Sequence, residues 1–351
     1  MKKIAYVIIL WLTTLLLVEC SQDIKEDAGE KILVNLDISV ALSDVAHAGS
    51  RTVTEDAEAK NANEKMQTLR VIVLRENGIV EDNRFIRLNN ATELYKNISF
   101  KVVSKETKKI YLFVNEETDI KIKDGDSGEL LTLTDYFSSI KQGDEFPTTK
   151  ISNLKVQLDD KSEQLTGALP MNEYHEVYVP DKDHECQLFV TRAAVKFSFR
   201  ITNESTNASK LTKITISQMA REEYYLPLNA IYEYEIIDNV SYRAIISYDV
   251  PANPGYYIYE KQYSIPQELP SNKEVHLEPI YLLEGKFPEN YSVGIGINGA
   301  ELKGELLNLP RKLPRNTHVV VNIKLKDHQF EIIVDVEPYR EAILDDVDFG
   351  L

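Results

Sequence analysis

Apolar and polar residues alternate along one stretch near the beginning of the chain. Successive side chains of a β-strand point to opposite faces, so the period of two over residues 32–42 predicts a long strand with one buried face. Asn35, Asp37 and Ser39 lie on the other, polar face. The apolar positions of this predicted strand are Ile32, Val34, Leu36, Ile38, Val40 and Leu42.

Shorter apolar runs, rich in Val, Ile and Tyr, recur along the rest of the chain with turn residues between them. Strands at such intervals are typical of β-sandwiches. We therefore predict an all-β protein with a short helix within residues 128–141, and a long strand over residues 187–201 that opens the second of two domains. The further predicted strands are residues 69–74, 98–103, 110–114, 154–158, 176–179, 214–216, 232–237, 242–248, 256–263, 274–283, 291–297, 318–325 and 329–336.

The beginning of the chain has the pattern of an export signal. Two lysines precede an apolar run over residues 4–18, which is too short for a confident membrane-spanning helix. Cys20 follows the run as in bacterial lipoproteins, although Glu19 replaces the small residue usual before that cysteine. The alternative is an ordinary secretory signal, but no Ala-x-Ala-like site lies nearby. We predict a signal peptide over residues 1–19 and a lipid on Cys20.

Composition argues against several kinds of site. The 56 acidic residues outnumber the 40 basic ones, and a formal net charge of −16 repels the phosphates of nucleic acids. If Cys20 carries a lipid, Cys186 has no disulfide partner, and the adjacent His184 and Glu185 are too few for a zinc site. We expect a half-buried strand cysteine there, no nucleic-acid partner, no metal and no cofactor.

Two glycine-containing motifs resemble ligand-binding loops but lack their context. Residues 294–299 match the dinucleotide fingerprint, yet they lie in a β-rich region where Asn298-Gly299 predicts a hairpin turn. Residues 124–129 resemble a calcium loop without EF-hand spacing, so a polar loop is predicted, with a weak cation site left open. No nucleophile, zinc or phosphate motif is present, so we expect no enzymatic activity. A glycan hydrolase with unrecognised catalytic groups is the remaining enzyme alternative.

Several short motifs, taken in chain order, resemble those of the fimbrillins, the subunits of the type V pili of Bacteroidota. The lipid cysteine would be Cys20. The processing arginine would be Arg51, which precedes Thr52 in a polar stretch over residues 49–65. The other matching segments are residues 69–74, 109–115, 169–171, 191–196, 336–339 and 349–351.

The resemblance implies a lipoprotein precursor that loses its N-terminal strand after export. Residues 20–51 would be a lipidated propeptide with the removable strand over residues 32–42. Two transthyretin-like β-sandwich domains would follow in tandem, residues 52–185 and 186–351. The implied function is a structural subunit of a cell-surface pilus that polymerises by strand exchange and supports adhesion. The alternative is a non-polymerising tip or anchor subunit, or a surface lipoprotein adhesin.

The same resemblance implies where the protein lies and what it meets. Its partners would be other pilus subunits, an arginine-specific or trypsin-like protease, and the outer membrane through the lipid of the precursor. The precursor would lie in the cell outer membrane, and the processed subunit would lie in the extracellular fimbrium.

The last residues of the chain have a pattern suited to a donor strand. Pro338 has no N–H for a sheet ladder, so the chain is expected to leave the second domain there and to form a tail over residues 339–351. Apolar residues then share one parity, with Asp345 as the exception. The alternative is a last strand or a loose tail of the second domain. The apolar donor positions are Ile343, Val347, Phe349 and Leu351.

The bond between Arg51 and Thr52 is predicted to be the first arginine bond that a protease cuts in the precursor, because polar, small-residue segments are cut most easily. Mild treatment with an arginine-specific protease should leave a core whose N-terminal sequence begins at Thr52. Arg192, inside an apolar strand pattern, is the internal control and should stay uncut. A first cut elsewhere, with this bond intact, would favour an anchor or adhesin over a polymerising subunit.

Overall fold

Strands form most of the chain in its computed structural model, and two short helices lie between them. The all-β class with tandem β-sandwiches is confirmed, and the helix predicted within residues 128–141 is present as α1. The structure describes residues 30–42, 62–88, 95–117, 121–237, 240–285, 291–305, 313–327 and 329–337.

The first part of the chain, up to residue 192, contains ten strands and both helices among the described residues. A single 3-10 turn, Ala62–Glu64, precedes the second strand. The elements are β1 Leu33–Leu42, β2 Thr68–Leu74, β3 Val80–Arg87, β4 Tyr95–Val103, β5 Glu106–Val114, β6 Ile122–Lys123, β7 Leu130–Leu131, α1 Leu133–Ser139, α2 Thr148–Ser152, β8 Lys155–Gln157, β9 Met171–Val179 and β10 His184–Arg192.

The second part of the chain is built from strands alone among the residues that the structure describes. They are β11 Val195–Asn203, β12 Ser209–Ala220, β13 Glu222–Tyr224, β14 Ile231–Ile237, β15 Val240–Ser247, β16 Tyr256–Leu269, β17 Lys273–His276, β18 Ile280–Leu282, β19 Ser292–Ile297, β20 Ala300–Glu305, β21 Thr317–Lys326 and β22 Gln329–Glu337.

The first sandwich is one seven-stranded sheet that folds over on itself, in the order β3-β2-β5-β9-β10-β1-β4. β9 and β10 pair only where Thr191 meets Asn172 and Arg192 meets Met171. This short contact is the corner at which the sheet turns from one layer into the other. Apolar side chains from both layers, among them those of β1, β2, β4 and β5, form a buried cluster between the layers.

The second sandwich consists of two antiparallel-rich sheets. One has the order β17-β11-β21-β22, with β18 also paired to β11, and the other has the order β16-β12-β19-β20. Strand alternation places one face of each sheet in a shared core. The core side chains of its central strands include Phe197, Phe199, Val319 and Val321 from the first sheet and Ile214, Ile216, Val293 and Ile295 from the second.

The two sandwiches are joined by a small sheet and by a continuous core. The small sheet has the order β13-β8-β6-β7, so β13 of the second part pairs with β8 of the first. The outer face of the β2–β5 layer packs on α1 and on the second part. The ring of Phe113 stacks on Phe137 at 4.3 Å between centroids and faces Tyr225 at 5.9 Å. The second part therefore covers the outer face of the first sandwich.

The prediction of one strand over residues 187–201 is wrong. The chain changes sheets at residues 193–194, so that β10 completes the first sandwich and β11 begins the second. The cause is Arg192, which is 1% exposed and donates hydrogen bonds to the Glu64 carbonyl at 2.9 Å and to Asn316 Oδ1 at 3.2 Å. These contacts hold the chain at the point where it passes from β10 in the first sandwich to β11 in the second.

Asn115 ends β5 in a left-handed conformation, with φ of 59°, and its buried side chain connects three segments. Its Oδ1 accepts hydrogen bonds from the backbone N–H groups of Gln67 at 2.8 Å and Thr68 at 3.3 Å. Its Nδ2 donates to the carbonyls of Lys65 at 3.0 Å and Leu169 at 2.7 Å. The side chain thus satisfies backbone groups that would otherwise be buried without partners.

Replacing Asn115 with Ala is expected to lower the free energy of unfolding by about 2–4 kcal/mol, because backbone groups lose their partners and a left-handed residue loses a side chain suited to it. Denaturant unfolding followed by circular dichroism measures the change. Asn272→Ala is the matched control, because Asn272 also has a positive φ, of 55°, but is exposed. Equal effects of the two substitutions would show that backbone conformation, not the hydrogen bonds of Asn115, matters.

Candidate functional site

β1 lies inside the first sandwich with a partner strand on each side. It pairs antiparallel with β4, from Leu33 opposite Val103 to Ala41 opposite Tyr95. It also pairs parallel with β10, from Leu36 opposite His184 onwards. Without β1, the edges of β4 and β10 would present unpaired N–H and C=O groups to each other across an empty slot.

The face of β1 that points into the sandwich is fully covered. Val34 is 5% exposed, and Leu36, Ile38 and Val40 are 0% exposed. Burying such a side chain stabilises a fold by about 1.5–3 kcal/mol, so these four together contribute about 6–12 kcal/mol as an upper estimate. The strand predicted from alternation is therefore present, and the slot that it fills is an apolar groove.

The predicted strand differs from β1 at its ends. Ile32 precedes β1 and is 48% exposed, although its N–H donates to Ser104 Oγ at 2.9 Å and its carbonyl accepts from the Ser104 N–H at 2.8 Å. It lies at the rim of the sandwich beside the β4–β5 turn, where no opposite layer covers it. Leu42 is half-buried at the other end.

The N-terminal end of the groove is closed by ion pairs. Lys31 Nζ lies 2.7 Å from Glu106 Oε2, and the buried Lys108 donates to Glu106 Oε1 at 2.7 Å and to Glu81. Burial alone would raise the pKa of Glu106, but the hydrogen bonds from Lys108 and Lys31 outweigh it and hold that pKa below its ordinary value. A cavity of about 350 Å³ lies beside this cluster, lined by Lys31, Arg75, Glu76, Asn77, Val103 and Glu106.

Polar groups on the outer face of β1 add a second set of contacts. The Asn35 N–H and Nδ2 donate to the two carboxylate oxygens of Asp183 at 2.8 and 2.9 Å, and these bonds lower the pKa of Asp183. Ser39 Oγ donates to Asn97 Oδ1 at 2.6 Å. These exposed contacts reinforce the pairing of β1 but leave its buried face as the main source of stability.

Several predicted site residues lie outside the described residues. Cys20 precedes residue 30, where the described part of the chain begins. The bond between Arg51 and Thr52 falls between residues 42 and 62, in the first gap of the described chain. The predicted donor tail also lies outside it. Its residues are Ile343, Val347, Phe349 and Leu351.

The motifs set aside in the sequence form ordinary structural elements. Asn298 and Gly299 connect β19 and β20 with φ of 51° and 86°, so residues 294–299 form part of a hairpin. Asp124 accepts a hydrogen bond from the Asp126 N–H at 2.9 Å, which is the main cause of its lowered pKa, and it pairs with Lys150 at 3.1 Å. Among the described residues, no cluster of His, Cys, Asp and Glu has the arrangement of a metal site.

Cys186 is half-buried in β10 and packs at the edge of the cluster that contains the β1 side chains. Burial raises the pKa of its thiol to about 11. A thiol is a nucleophile in its deprotonated form, and burial disfavours that form of Cys186.

A second concave feature lies between the outer face of the first sandwich and the segment before β14. This cleft has a volume of about 490 Å³, and Glu173 of β9 forms part of its lining. Tyr232 and Thr191 donate hydrogen bonds to Glu173, yet burial of the carboxyl dominates and raises its pKa to about 7. The sequence offered no signal for this group, because Tyr232 and Thr191 reach it only in the folded chain.

Comparison with known proteins reveals the fold but no close relative. No family model and no curated protein matches the chain. The structure is similar to that of a candidate cell adhesion protein from Parabacteroides distasonis, with a TM-score of 0.55 and 12% identity over 89% of this chain and 98% of that chain. It is also similar to the tip fimbrial protein Mfa3 from Porphyromonas gingivalis, with a C-terminal truncation, at a TM-score of 0.53 and 11% identity over 87% and 99% of the two chains.

At these identities the likeness shows a shared fold. The predicted resemblance to the fimbrial proteins of Bacteroidota is therefore confirmed at the level of the fold. Within the residues that the structure describes, no helix has the length and apolar character needed to cross a membrane.

Glu173 is expected to make stability depend on pH. Its pKa is about 7 in the folded protein and 4.5 ordinarily, so the folded state holds a proton more tightly. The contribution of Glu173 to the free energy of unfolding should therefore fall by about 3 kcal/mol as pH rises from 4.5 to 7, whereas buried His318, whose pKa is lowered by burial, contributes in the opposite direction. The difference in unfolding free energy between the unchanged protein and Glu173→Gln should change by about this amount across the range, whereas the difference for the exposed Glu185→Gln should stay constant. If the free energy of unfolding of Glu173→Gln depends on pH as that of the unchanged protein does, the raised pKa of Glu173 is refuted.

Proposed function

We propose that this protein is a structural subunit of a cell-surface pilus, which polymerises by strand exchange after its N-terminal strand is removed, and which supports adhesion. The observation that carries the proposal is the position of β1, which is paired on both sides and covered on its inner face. In the sequence, a polar stretch over residues 49–65 that contains the predicted cleavage site follows this strand.

Removal of β1 leaves an interface that another strand is able to fill. The vacated slot has backbone partners on both edges and an apolar floor, which are the two requirements of recognition by strand addition. A strand that one subunit donates to the groove of the next makes a head-to-tail contact, and such contacts extend into filaments when they do not close. Keeping β1 in place until cleavage prevents assembly before export is complete.

The proposed steps of assembly use segments in the order of the chain. The lipid on Cys20 anchors the precursor in the outer membrane, and an arginine-specific or trypsin-like protease cuts between Arg51 and Thr52. Residues 339–351 then serve as the donor strand for a neighbouring pilus subunit. The fold shared with Mfa3, a tip fimbrial protein, and with a candidate cell adhesion protein supports a place at the cell surface.

An enzymatic role is disfavoured by the composition of the cleft. General acid–base and glycosidase chemistry uses paired ionisable groups, usually two carboxylates or a carboxylate and a histidine. Glu173 is the one carboxylate among the described residues that line the cleft, and no described histidine lines it. The carboxyl also already accepts hydrogen bonds from Tyr232 and Thr191. We therefore propose that Glu173 has a structural role.

The alternative is a tip or anchor subunit, or a surface lipoprotein adhesin, that does not donate a strand. Mfa3 is a tip fimbrial protein, and its likeness in fold to this chain supports the tip position as the alternative. Donation by the tail therefore distinguishes a shaft position from the alternative.

Deletion of residues 341–351 in the producing bacterium is expected to abolish high-molecular-mass assemblies that extend through this subunit, because a subunit that receives a strand but donates none ends the filament. Surface fractions are compared on denaturing gels without heating. The matched control is the full-length chain with Asp346 and Asp348 replaced by Asn, which keeps the apolar positions. If the truncated and full-length chains enter long assemblies equally, the tail is not the donor, and the tip or anchor position is favoured.

A further inference from the structure

The ion cluster at the N-terminal end of β1 is incomplete without β1. Lys108 is 0% exposed and lies between Glu81 and Glu106, so the buried part of the cluster has two carboxylates and one ammonium group. At the surface, Arg75 lies 3.9 Å from Glu81, and Glu76 lines the cavity beside it. When Lys31 departs, Glu106 keeps only Lys108 as a charged partner, and it shares Lys108 with Glu81.

Glu106, which loses one of its two charged partners when Lys31 departs, is a carboxylate that water reaches poorly. The Glu106 side chain is 6% exposed, and Lys31 holds one of its two oxygens at 2.7 Å. A strand with a neutral side chain at the Lys31 position would leave that oxygen without its charged donor. A strand with a lysine or arginine there restores the contact, so this end of the groove distinguishes occupants by charge.

The Leu36 position imposes the opposite requirement. Leu36 is 0% exposed, belongs to the apolar cluster between the layers of the first sandwich, and pairs with Phe100 of β4, which is 1% exposed. A carboxylate at this position would replace an apolar side chain of that cluster and would be buried there. Burial of an unpaired charge is strongly unfavourable, so an occupant needs an apolar residue here.

The tail of this chain meets the first requirement and fails the second. Arg340 precedes Ile343 by the same spacing as Lys31 precedes Val34, and in this register the tail runs in the direction of β1. Asp345 then falls at the Leu36 position. The remaining apolar pairs in this register are Val347 with Ile38, Phe349 with Val40 and Leu351 with Leu42.

We infer that the groove is selective for the donor strand of a different pilus subunit. That strand has a lysine or arginine at the Lys31 position and apolar residues at the positions of Val34, Leu36, Ile38 and Val40. The inference rests on the proposed function, because it assumes that another strand replaces β1. Beyond that function, Glu106 and the pocket of Leu36 determine which strand enters the groove, and self-assembly through the tail of this chain is disfavoured.

The test uses the full chain, cleaved after Arg51 by an arginine-specific protease that leaves Lys31 intact. Labelled synthetic peptides are added in excess, and native mass spectrometry measures how much propeptide each one displaces. One set spans residues 31–42, unchanged and with Lys31→Gln, Leu36→Asp or, as the exposed control, Asp37→Asn. The other set spans residues 340–351, unchanged and with Asp345→Leu. Each is measured on the unchanged protein, on Glu106→Gln and on Glu117→Gln, whose carboxylate pairs with Arg87 away from the groove.

The expected results separate the two requirements. Because Lys31 is half exposed, Lys31→Gln should weaken binding by about twofold to fivefold on the unchanged protein and on Glu117→Gln, but not on Glu106→Gln. Leu36→Asp should weaken binding by at least about a hundredfold, and Asp345→Leu should strengthen binding of the tail peptide by a similar factor. Asp37→Asn should have little effect. Circular dichroism of the uncleaved variants verifies that Glu106→Gln folds.

Three results would overturn the inference. If Lys31→Gln weakens peptide binding equally on all three proteins, Glu106 has no role in selecting the strand. Binding of the unchanged tail peptide as tight as that of the 31–42 peptide would show that the groove accepts its own tail. Failure of every peptide, including 31–42, to displace the propeptide would refute strand exchange itself, and this outcome distinguishes a failure of the proposed function from a failure of selectivity.

Discussion

The first sandwich depends on a strand that lies between β4 and β10. The backbone groups of these two strands point towards each other across the slot, and buried N–H and C=O groups require partners. β1 supplies those partners and, with Val34, Leu36, Ile38 and Val40, the apolar side chains that fill the space beneath. A strand with the same spacing of apolar residues meets both of these requirements, and this is the physical basis of the proposed exchange.

The rest of the molecule is arranged so that β1 belongs to one core only. Alternation along β2 sends Leu69, Val71 and Val73 into the cluster that contains the β1 side chains. Ile72 and Leu74 point the other way, into the larger cluster shared with the second sandwich. Departure of β1 therefore opens the first cluster but leaves the larger one, which holds β2 and β5 against the second part of the chain. Under the proposed exchange, the groove would keep one supported wall.

Buried charges follow the same division. Arg315 and Glu284 are both 0% exposed and pair at 2.8 Å, and the buried Arg70 pairs with Glu116 at 2.7 Å. These pairs lie entirely within the sandwiches and are complete whether or not β1 is present. Glu106 differs, because one of its oxygens is bound by Lys31, which lies just before β1. The Lys31 side chain is 49% exposed, so this contact is weaker than the fully buried pairs, and under the proposed exchange it makes charge one criterion for the strand that replaces β1.

Local patterns in the sequence were sufficient to identify β1 and the all-β class, because a period of two reflects one buried face whatever the partner strands are. They did not reveal that β1 lies between β4 and β10, nor that residues 193–194 separate two sheets, since Arg192 is held there by Asn316, which lies 124 positions further along the chain. The polar strand β3 was missed because it lies at a sheet edge and buries little of one face. The contact between Lys31 and Glu106 was also revealed only by the tertiary structure, because these two residues meet through sheet pairing and not through proximity in the sequence.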